Sequence, residues 1–185
     1  MAGNKELSGD EHTETFKAAL LEILPQLRAF ARSLSGRRDY ADDLVQEALI
    51  KAWSSRDSFR PGTNMKSWTF TILRNHYVSE LRRNSRDSAL DPQTAENMLI
   101  MPAEQEARVH LSDMEAALQQ LSPERREAVV LVGAGGFTYE EAAGICDCAI
   151  GTIRSRVARA RAELAELLAS EAKGPVNEPN RDAGD

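Results

Sequence analysis

The sequence has few of the residues from which metal centres and disulfide frameworks are built. Its 185 residues include two cysteines and three histidines. Cys146 and Cys148 form a C-x-C pair with no second cysteine pair or histidine nearby, and His12, His76 and His110 are scattered along the chain. This spacing does not match a zinc site, and cysteines one residue apart rarely bridge. We therefore expect no metal and no cofactor. We interpret the cysteines as small residues beside a turn, with redox sensing as a minor alternative.

Long apolar segments are also missing. No run of 18 apolar residues occurs, and the first residues, MAGNKELSGDEHTETFK, are polar and acidic. A membrane-spanning helix needs such a run, and a secretory signal peptide needs a shorter apolar one. We therefore expect a cytoplasmic protein that does not bind a membrane.

The motifs of common enzyme classes are absent as well. There is no P-loop, no H-E-x-x-H and no G-x-S-x-G. The glycines of VGAGGFTYEE do not have dinucleotide-binding spacing, because that spacing requires glycine where Thr138 stands. The acidic pairs Asp42-Asp43 and Glu140-Glu141 fall at predicted helix starts, where carboxylates favour the helix dipole. We expect a protein that is not an enzyme.

What the sequence does contain is clustered arginine within an acidic chain. The net charge of −6 argues against indiscriminate coating of DNA. One basic cluster is formed by Arg74, Arg82, Arg83 and Arg86, and the other by Arg154, Arg156, Arg159 and Arg161. A protein with two basic patches in acidic surroundings can be held off DNA until something orients it.

The apolar periodicity predicts an all-α protein made of two small helical domains joined by an acidic linker. In the first domain we expect a helical region broken or kinked at Pro25, then a helix capped by Asp39 with Trp53 in its buried stripe, then a helix over about 64–83. The predicted parts are a disordered N-terminus over about 1–13, the first domain over about 14–86, the linker over about 87–110, the second domain over about 111–170 and a disordered tail over about 171–185.

The second domain contains the pattern of a helix-turn-helix. Thr138 and Glu141 form a T-x-x-E capping box, which satisfies free N–H groups at a helix start. After a turn, a second helix is predicted from Ile150. Its apolar residues share one face because they recur at intervals of three and four: Ile150, Ile153, Val157, Ala160 and Leu164.

Arginines and small hydroxyls occupy the rest of that second helix. Thr152, Ser155 and Arg159 point away from the apolar face, and three further arginines flank it: Arg154, Arg156 and Arg161. Guanidinium groups bind guanine edges and phosphates, and small hydroxyls allow close approach, so the pattern favours a recognition helix in the major groove. The alternative is an ordinary solvated face of an arginine-rich helix.

Several segments together resemble a known family. DYADDLVQEALIKAW is followed by FRPGTNMKSWTFTILRNHYVSELRR, and then by SPERREAVVL and GTIRSRVARAR. In this order and spacing they resemble the extracytoplasmic-function (ECF) class of bacterial sigma factors, over about Leu20 to Leu168. GFTYEEAAGICDCAIGTIRSR is similar to the EcfG-like subgroup of the general stress response. The resemblance implies a protein that binds core RNA polymerase and directs promoter-specific transcription initiation, with the first domain as sigma region 2 and the second as sigma region 4.

The resemblance also implies roles for particular residues. In region 2, unstacked bases of the −10 element are captured by aromatic and amide side chains while basic groups hold the backbone. The matching positions here are Phe59, Asn64, Lys66, Trp68, Arg74, Asn75, Arg82 and Arg83. In region 4 the recognition helix reads the −35 element through Thr152, Arg154, Ser155, Arg156, Arg159 and Arg161. Trp68 fits a core position equally well.

The family also binds partners. The face of the predicted helix 39–54 opposite its apolar stripe would dock on the β′ clamp coiled coil of the polymerase, and it contains Asp43, Gln46, Glu47, Ile50 and Lys51. An exposed isoleucine ringed by charges suits a protein interface. The resemblance further implies contact with the polymerase β flap, with promoter DNA and with a small anti-sigma protein. Two alternatives remain, namely a stand-alone helix-turn-helix regulator and a sigma-like decoy that sequesters an anti-sigma factor.

Overall fold

A computed structural model describes residues 9–60, 62–90 and 109–171. These ranges contain α-helices and one short 3-10 turn but no strand, so the predicted all-α fold is confirmed. Residues 9–13 of the predicted disordered N-terminus are helical and begin the first helix, and residue 171 of the predicted tail ends the last helix. The rest of both ends and most of the predicted linker lie outside the described residues. The helices are α1 (Gly9–Ser35), α2 (Arg38–Ser54), α3 (Met65–Leu90), α4 (Val109–Gln120), α5 (Pro123–Val132), α6 (Tyr139–Cys146) and α7 (Ile150–Glu171), and the 3-10 turn is Arg56–Ser58. We call α1–α3 the first unit and α4–α7 the second unit.

Helix α1 is continuous, so of the two alternatives expected at Pro25 the break into two helices is wrong, whereas the kink stays a prediction. Proline inside a helix costs about 3 kcal/mol, because it removes one hydrogen bond and crowds the preceding turn. Here Pro25 is exposed, while Ile23 and Leu27 on either side of it are both buried. The buried stripe continues without interruption past the proline. Packing of that stripe therefore outweighs the local preference for a break.

Helix α2 is capped two residues earlier than expected. Arg37 occupies the N-cap without a side-chain hydrogen bond, and Asp39 lies in the first turn instead of capping the helix. Trp53 is 38% exposed, so its placement in the buried stripe was wrong as well. One residue beyond buried Ala52, its side chain is rotated by about 100° toward the edge of the stripe. There its ring meets the Phe16 ring edge-on at 6.1 Å.

Helix α3 is longer than the predicted 64–83 and extends four residues into the segment predicted as a linker. It starts after Asn64, whose Oδ1 accepts a 3.0 Å hydrogen bond from the backbone N–H of Ser67. Thr69, Phe70 and Leu73 are fully buried on its inner side. The helix therefore supplies the central layer of the first unit.

The second unit contains the predicted helix-turn-helix. The capping box of α6 is confirmed: Thr138 Oγ1 accepts from the Glu141 N–H at 3.1 Å, and Glu141 Oε2 accepts from the Thr138 N–H at 2.9 Å. Asp147 then ends α6 in the left-handed conformation, with φ of 51°. This conformation turns the chain sharply before α7 starts at Ile150, the predicted residue.

The two units share one hydrophobic core. Phe70 of α3 stacks on Phe30 of α1 with centroids 5.1 Å apart, and its ring meets the edge of Phe137 at 4.9 Å. Phe137 lies between α5 and α6, and the same buried cluster continues into α7 through Ile153 and Val157. This packing places α3 against α6, and α1 against α5, of the second unit.

A buried arginine strengthens the same junction. Arg126 of α5 donates from Nη1 to the carbonyl oxygens of Ser33 and Leu34, at 3.4 and 3.2 Å, where α1 ends. Its Nη2 donates to the carbonyls of Gln119 and Leu121, both at 3.2 Å, where α4 ends. The last carbonyls of a helix have no partner in the helix itself, so one guanidinium satisfies the ends of two helices. Burial lowers the pKa of Arg126 from its ordinary value.

None of the helices in the described ranges has the length and apolar character needed to cross a membrane.

Candidate nucleic-acid interface

Helix α7 presents the predicted polar face to solvent. Five of the six predicted DNA-reading residues are exposed, namely Thr152, Arg154, Ser155, Arg159 and Arg161. The apolar stripe opposite them is buried from Ile153 to Leu164, whereas Ile150 at the helix start is 40% exposed. The exposed face therefore contains the guanidinium and hydroxyl groups together, on a rigid helix held by its other side.

The arginines of α7 are not equivalent. Arg154 lies over the ring of Tyr139, 5.8 Å from its centroid, with Nη2 3.8 Å from Glu140 Oε1. Arg156 is half-buried, and its Nη1 lies 3.9 Å from Cys148 Sγ, which directs it toward the turn. Arg159 and Arg161 are exposed and make no ion pair within the described residues. Their guanidinium groups are therefore available to a nucleic-acid groove.

A second exposed face lies on α2. The five residues predicted to contact polymerase are all on the outside of the helix: Asp43, Gln46, Glu47, Ile50 and Lys51. Ile50 is 58% exposed, so a large apolar side chain stands among charged ones. Lys51 Nζ lies 2.6 Å from His76 Nδ1 of α3, which ties one edge of this face to the neighbouring helix.

The apolar surface around Ile50 extends farther than the sequence predicted. A groove of about 310 Å³ runs between α1 and α2, and its apolar lining includes Leu21, Leu24, Leu49, Ile50 and Trp53. Leu21 is 61% exposed. The consecutive Leu20-Leu21 of α1 was the available signal, because a helix facing one core buries only one of two adjacent leucines.

The predicted −10 residues fall into three sets. The aromatic pair Phe59 and Trp68 is partly buried, with ring centroids 5.3 Å apart. Both rings meet the edge of buried Phe16, at 5.8 and 6.1 Å. Phe16 therefore fixes the loop between α2 and α3 to the body of the first unit. Trp68 belongs to this packed cluster and keeps part of its surface accessible.

The second set contacts the second unit. Asn64 Nδ2 donates a 2.7 Å hydrogen bond to Glu141 Oε1, and Lys66 Nζ donates at 2.6 Å to the carbonyl oxygen of Gly135. Arg74 Nε lies 2.9 Å from Glu127 Oε1. Three polar groups assigned to promoter DNA are thus occupied by oxygen acceptors of the same chain.

The Arg74–Glu127 pair is shielded from water. The side chains are 18% and 8% exposed, respectively. Burial, together with the neighbouring Glu127 carboxylate, raises the pKa of the Cys146 thiol well above its usual range. The protonated thiol is a poor nucleophile. The environment of Cys146 therefore does not favour the minor redox interpretation.

The third set consists of Asn75, Arg82 and Arg83, which are exposed along α3. Arg83 Nη2 lies 3.3 Å from Glu80 Oε1 on the same helix. The side chain of Arg86 lies outside the described ones. These groups are spread along the outer face of α3 and remain accessible to a nucleic-acid backbone.

Glu127 and the outward role of Glu141 were missed by sequence reasoning. Glu127 follows Arg126 in α5 and precedes the apolar run 128–132. Its helical spacing to buried Leu131 was the available signal that it faces the core. Glu141 was assigned to the capping box alone. Their partners lie 53 and 77 residues away in sequence, and nothing in the local pattern specifies such pairs.

Comparison with known proteins gives matches in both units. The family model for Sigma-70 region 2 matches residues 20–87, and that for Sigma-70 region 4 matches residues 111–164. The chain is 48% identical over 157 residues to the ECF RNA polymerase sigma factor EcfG of Rhodopseudomonas palustris, covering 84% of this chain and 86% of that one.

Two solved structures are also similar. The sigma factor RpoE of Bartonella quintana, in complex with the anti-sigma factor NepR, has a TM-score of 0.74 and 49% identity, with 84% of this chain and 98% of that chain covered. CnrH, in complex with the cytosolic domain of CnrY, has a TM-score of 0.64 and 25% identity, with 85% and 90% covered.

Proposed function

Because the chain belongs to the extracytoplasmic-function sigma factors of bacterial RNA polymerase, we propose that its exposed faces divide promoter recognition and polymerase binding between them. In this scheme α7 reads the −35 element, α3 with its preceding loop handles the −10 element, and α2 docks on the core enzyme. The first unit then corresponds to region 2 over about 14–86 and the second to region 4 over about 111–170.

The exposed face of α7 is the observation that carries the −35 assignment. Arg154, Ser155 and Arg159 lie on the outside of a helix whose opposite side is buried, and the preceding α6 meets it through a sharp turn. In helix-turn-helix proteins the second helix enters the major groove with such a face. Arg159 is proposed as the principal reader because it points away from the apolar stripe and no carboxylate of the described residues holds it. Thr152 and Arg161 flank it. Half-buried Arg156 contacts only the DNA backbone.

For the −10 element, we propose that opening of the duplex exposes bases to the loop before α3. Asn64 supplies an amide for a base edge, and Phe59 with Trp68 supplies partly accessible aromatic surface. Four cationic side chains hold the phosphates, namely Lys66, Arg74, Arg82 and Arg83. Asn75 lies on the same exposed side of α3 as the last two.

For polymerase, we propose that the exposed α2 face contacts the β′ clamp coiled coil through Ile50 and its surrounding charges, with a further contact of the second unit on the β flap. An apolar side chain exposed to 58% at the centre of a charged rim has the anatomy of a protein interface. The adjoining groove of α1 and α2 extends the apolar part of this face.

A small anti-sigma protein is the proposed regulator. The similar RpoE of Bartonella quintana was solved with the anti-sigma factor NepR, and CnrH was solved with the cytosolic domain of CnrY. On the resemblance to EcfG we further propose that the genes transcribed belong to the general stress response, and that the protein works in the cytoplasm without an enzymatic activity of its own.

Run-off transcription with purified core polymerase tests the proposal. We expect promoter-specific transcripts that require this chain, and no promoter footprint by the chain alone at physiological salt. If no transcript appears with active core and a suitable promoter, the decoy interpretation gains weight, and tight anti-sigma binding would then support it. A stable dimer that footprints the promoter without core would support the stand-alone regulator instead.

A further inference from the structure

We infer that the second unit inhibits the first: Glu127 and Glu141 occupy Arg74 and Asn64 in the free protein and compete with promoter DNA for these groups. The inference rests on the proposed assignment of Arg74 and Asn64 to the −10 element. It adds that the chain alone, before any partner binds, holds its −10 surface closed.

The acceptors on the second unit match those that DNA offers. Arg74 faces a carboxylate oxygen at 2.9 Å and Asn64 faces another at 2.7 Å. Between them, Lys66 Nζ reaches the Gly135 carbonyl and lies 4.7 Å from the centroid of the Phe137 ring. Anionic and carbonyl oxygens are also what phosphates and base edges present. The second unit therefore satisfies in one interface the same donors that promoter DNA would satisfy.

The two modes of binding exclude each other. Arg74 is only 18% exposed, and Glu127 of α5 lies directly over its Nε. A phosphate that approaches Arg74 along α3 must therefore displace α5. Displacing α5 also separates Phe137 from Phe70 and withdraws Arg126 from the end of α1, because all three contacts belong to the same face of the second unit. Access to the part of the −10 surface formed by Asn64, Lys66 and Arg74 thus requires the two units to part.

The closed form lowers the apparent affinity of the protein for DNA, while the intrinsic affinity of the open form is unchanged. When only a fraction of molecules is open, the apparent dissociation constant rises by the reciprocal of that fraction. Weakening the carboxylate contacts raises the open fraction and must tighten binding of the isolated protein to −10 DNA. The −35 face of α7 is exposed in the closed form.

A charge-placement experiment tests the closed form itself. In Asn64→Asp, a second carboxylate faces Glu141, while aspartate caps α3 as well as asparagine does. We expect a larger radius of gyration in small-angle X-ray scattering and faster amide exchange in α6. Adding Glu141→Gln should restore the compact form, because glutamine keeps the capping box and can donate to the new aspartate. Glu163→Gln is the matched control, since Glu163 pairs with Arg125 inside the second unit.

A binding experiment tests the competition. A fluorescent single strand carrying the non-template −10 sequence is titrated with the free full-length protein. The Glu127→Gln and Glu141→Ala double variant should bind about tenfold more tightly than the parent if about a tenth of parent molecules are open. Glu141→Ala alone should bind more tightly by a smaller factor, which covers the case in which loss of buried Glu127 unfolds the protein. Circular dichroism establishes that each variant is folded.

The outcomes separate this inference from the proposed function. Unchanged scattering and unchanged oligonucleotide affinity in folded variants would overturn the inference, while run-off transcription by the parent protein would still support the sigma factor assignment. Conversely, opening by Asn64→Asp with rescue by Glu141→Gln supports the closed form even if no promoter is transcribed. Tighter binding in the carboxylate variants, with Glu163→Gln unchanged, supports the competition.

Discussion

Asn64 and Glu141 are joined by a 2.7 Å hydrogen bond, although each also caps its own helix. The amide nitrogen of Asn64 donates across the interface while its Oδ1 accepts from Ser67 at the start of α3. Glu141 uses Oε1 for Asn64 and Oε2 for the backbone N–H of Thr138 at the start of α6. The hydrogen bond therefore joins the first turns of α3 and α6. Changes at either residue affect both the stability of its own helix and the contact between the two units.

The first prediction concerns the −35 face. Arg159→Ala should lower promoter-specific initiation by a loss of about 1–3 kcal/mol in promoter binding if the guanidinium reads a base. Quantitative run-off transcription over a range of holoenzyme concentrations measures the effect. The matched control is Arg125→Ala, which removes an arginine of the same unit that pairs with Glu163. Equal activity of Arg159→Ala and the parent on promoters with intact upstream elements would contradict the assignment.

The second prediction concerns the junction of the units. Arg126→Met should reduce the free energy of unfolding by about 3 kcal/mol, because buried carbonyls at the ends of α1 and α4 lose their donor. Arg125→Met should change it by only about 0–1 kcal/mol, since Arg125 forms a partly exposed ion pair with Glu163. Urea unfolding monitored by circular dichroism compares the two. If Arg125→Met lowers the free energy of unfolding as much as Arg126→Met does, the capping role of Arg126 is wrong.

The sequence predicts the fold correctly at positions where the pattern within a single helix determines the structure. The stripe of α7 and the capping box of α6 follow from local spacing, and both were predicted with the correct starting residues. The break at Pro25 and the burial of Trp53 were wrong because tertiary packing, not local preference, decides those positions. Periodicity assigns a residue to a face but does not say what the face meets.

The candidate site was only partly predictable for the same reason. The exposure of Arg159 follows from the helical wheel of α7 alone. The contacts of Asn64 and Arg74 with carboxylates of the second unit depend on how two units dock, and the partners are 77 and 53 residues distant. Local sequence patterns assign Glu141 to a helix cap and Glu127 to a position within a helix. They do not predict that either carboxylate contacts the other unit.

The third prediction concerns the α2 face. Ile50→Ala should weaken association with core polymerase about tenfold, or about 1.4 kcal/mol, because a central apolar side chain is lost from the interface. Reversing the charges of Asp43 and Glu47 to lysine should also weaken association. Competition binding with a labelled sigma factor measures both, with circular dichroism as the test of folding. Glu115→Lys is the comparison, since it reverses one exposed charge on α4 outside the α2 face, and it should weaken association less than the α2 variants do.

The last prediction concerns alkaline pH. Tyr77 donates a 2.9 Å hydrogen bond to the Leu34 carbonyl, and Tyr40 donates at 2.6 Å to Glu80 Oε2. Burial raises the pKa of both phenols, and for Tyr40 the Glu80 carboxylate raises it further. The folded state therefore keeps protons that the unfolded chain loses above about pH 10.

The raised pKa values of the two phenols make the free energy of unfolding fall as the pH rises. Because the folded-state pKa is raised, the stabilisation is fully present below about pH 10 and is lost as pH rises toward the folded-state value, with a slope approaching about 1.4 kcal/mol per pH unit for each tyrosine. Urea unfolding at several values between pH 8 and 11 gives the slope for the parent. Tyr77→Phe and Tyr40→Phe should each make it shallower, because phenylalanine does not titrate, while the lysines and arginines titrate alike in all three proteins. Identical slopes in parent and variants would mean that the phenols ionise as readily in the folded state as in the unfolded chain, and that the hydrogen bonds to Leu34 and Glu80 do not hold their protons.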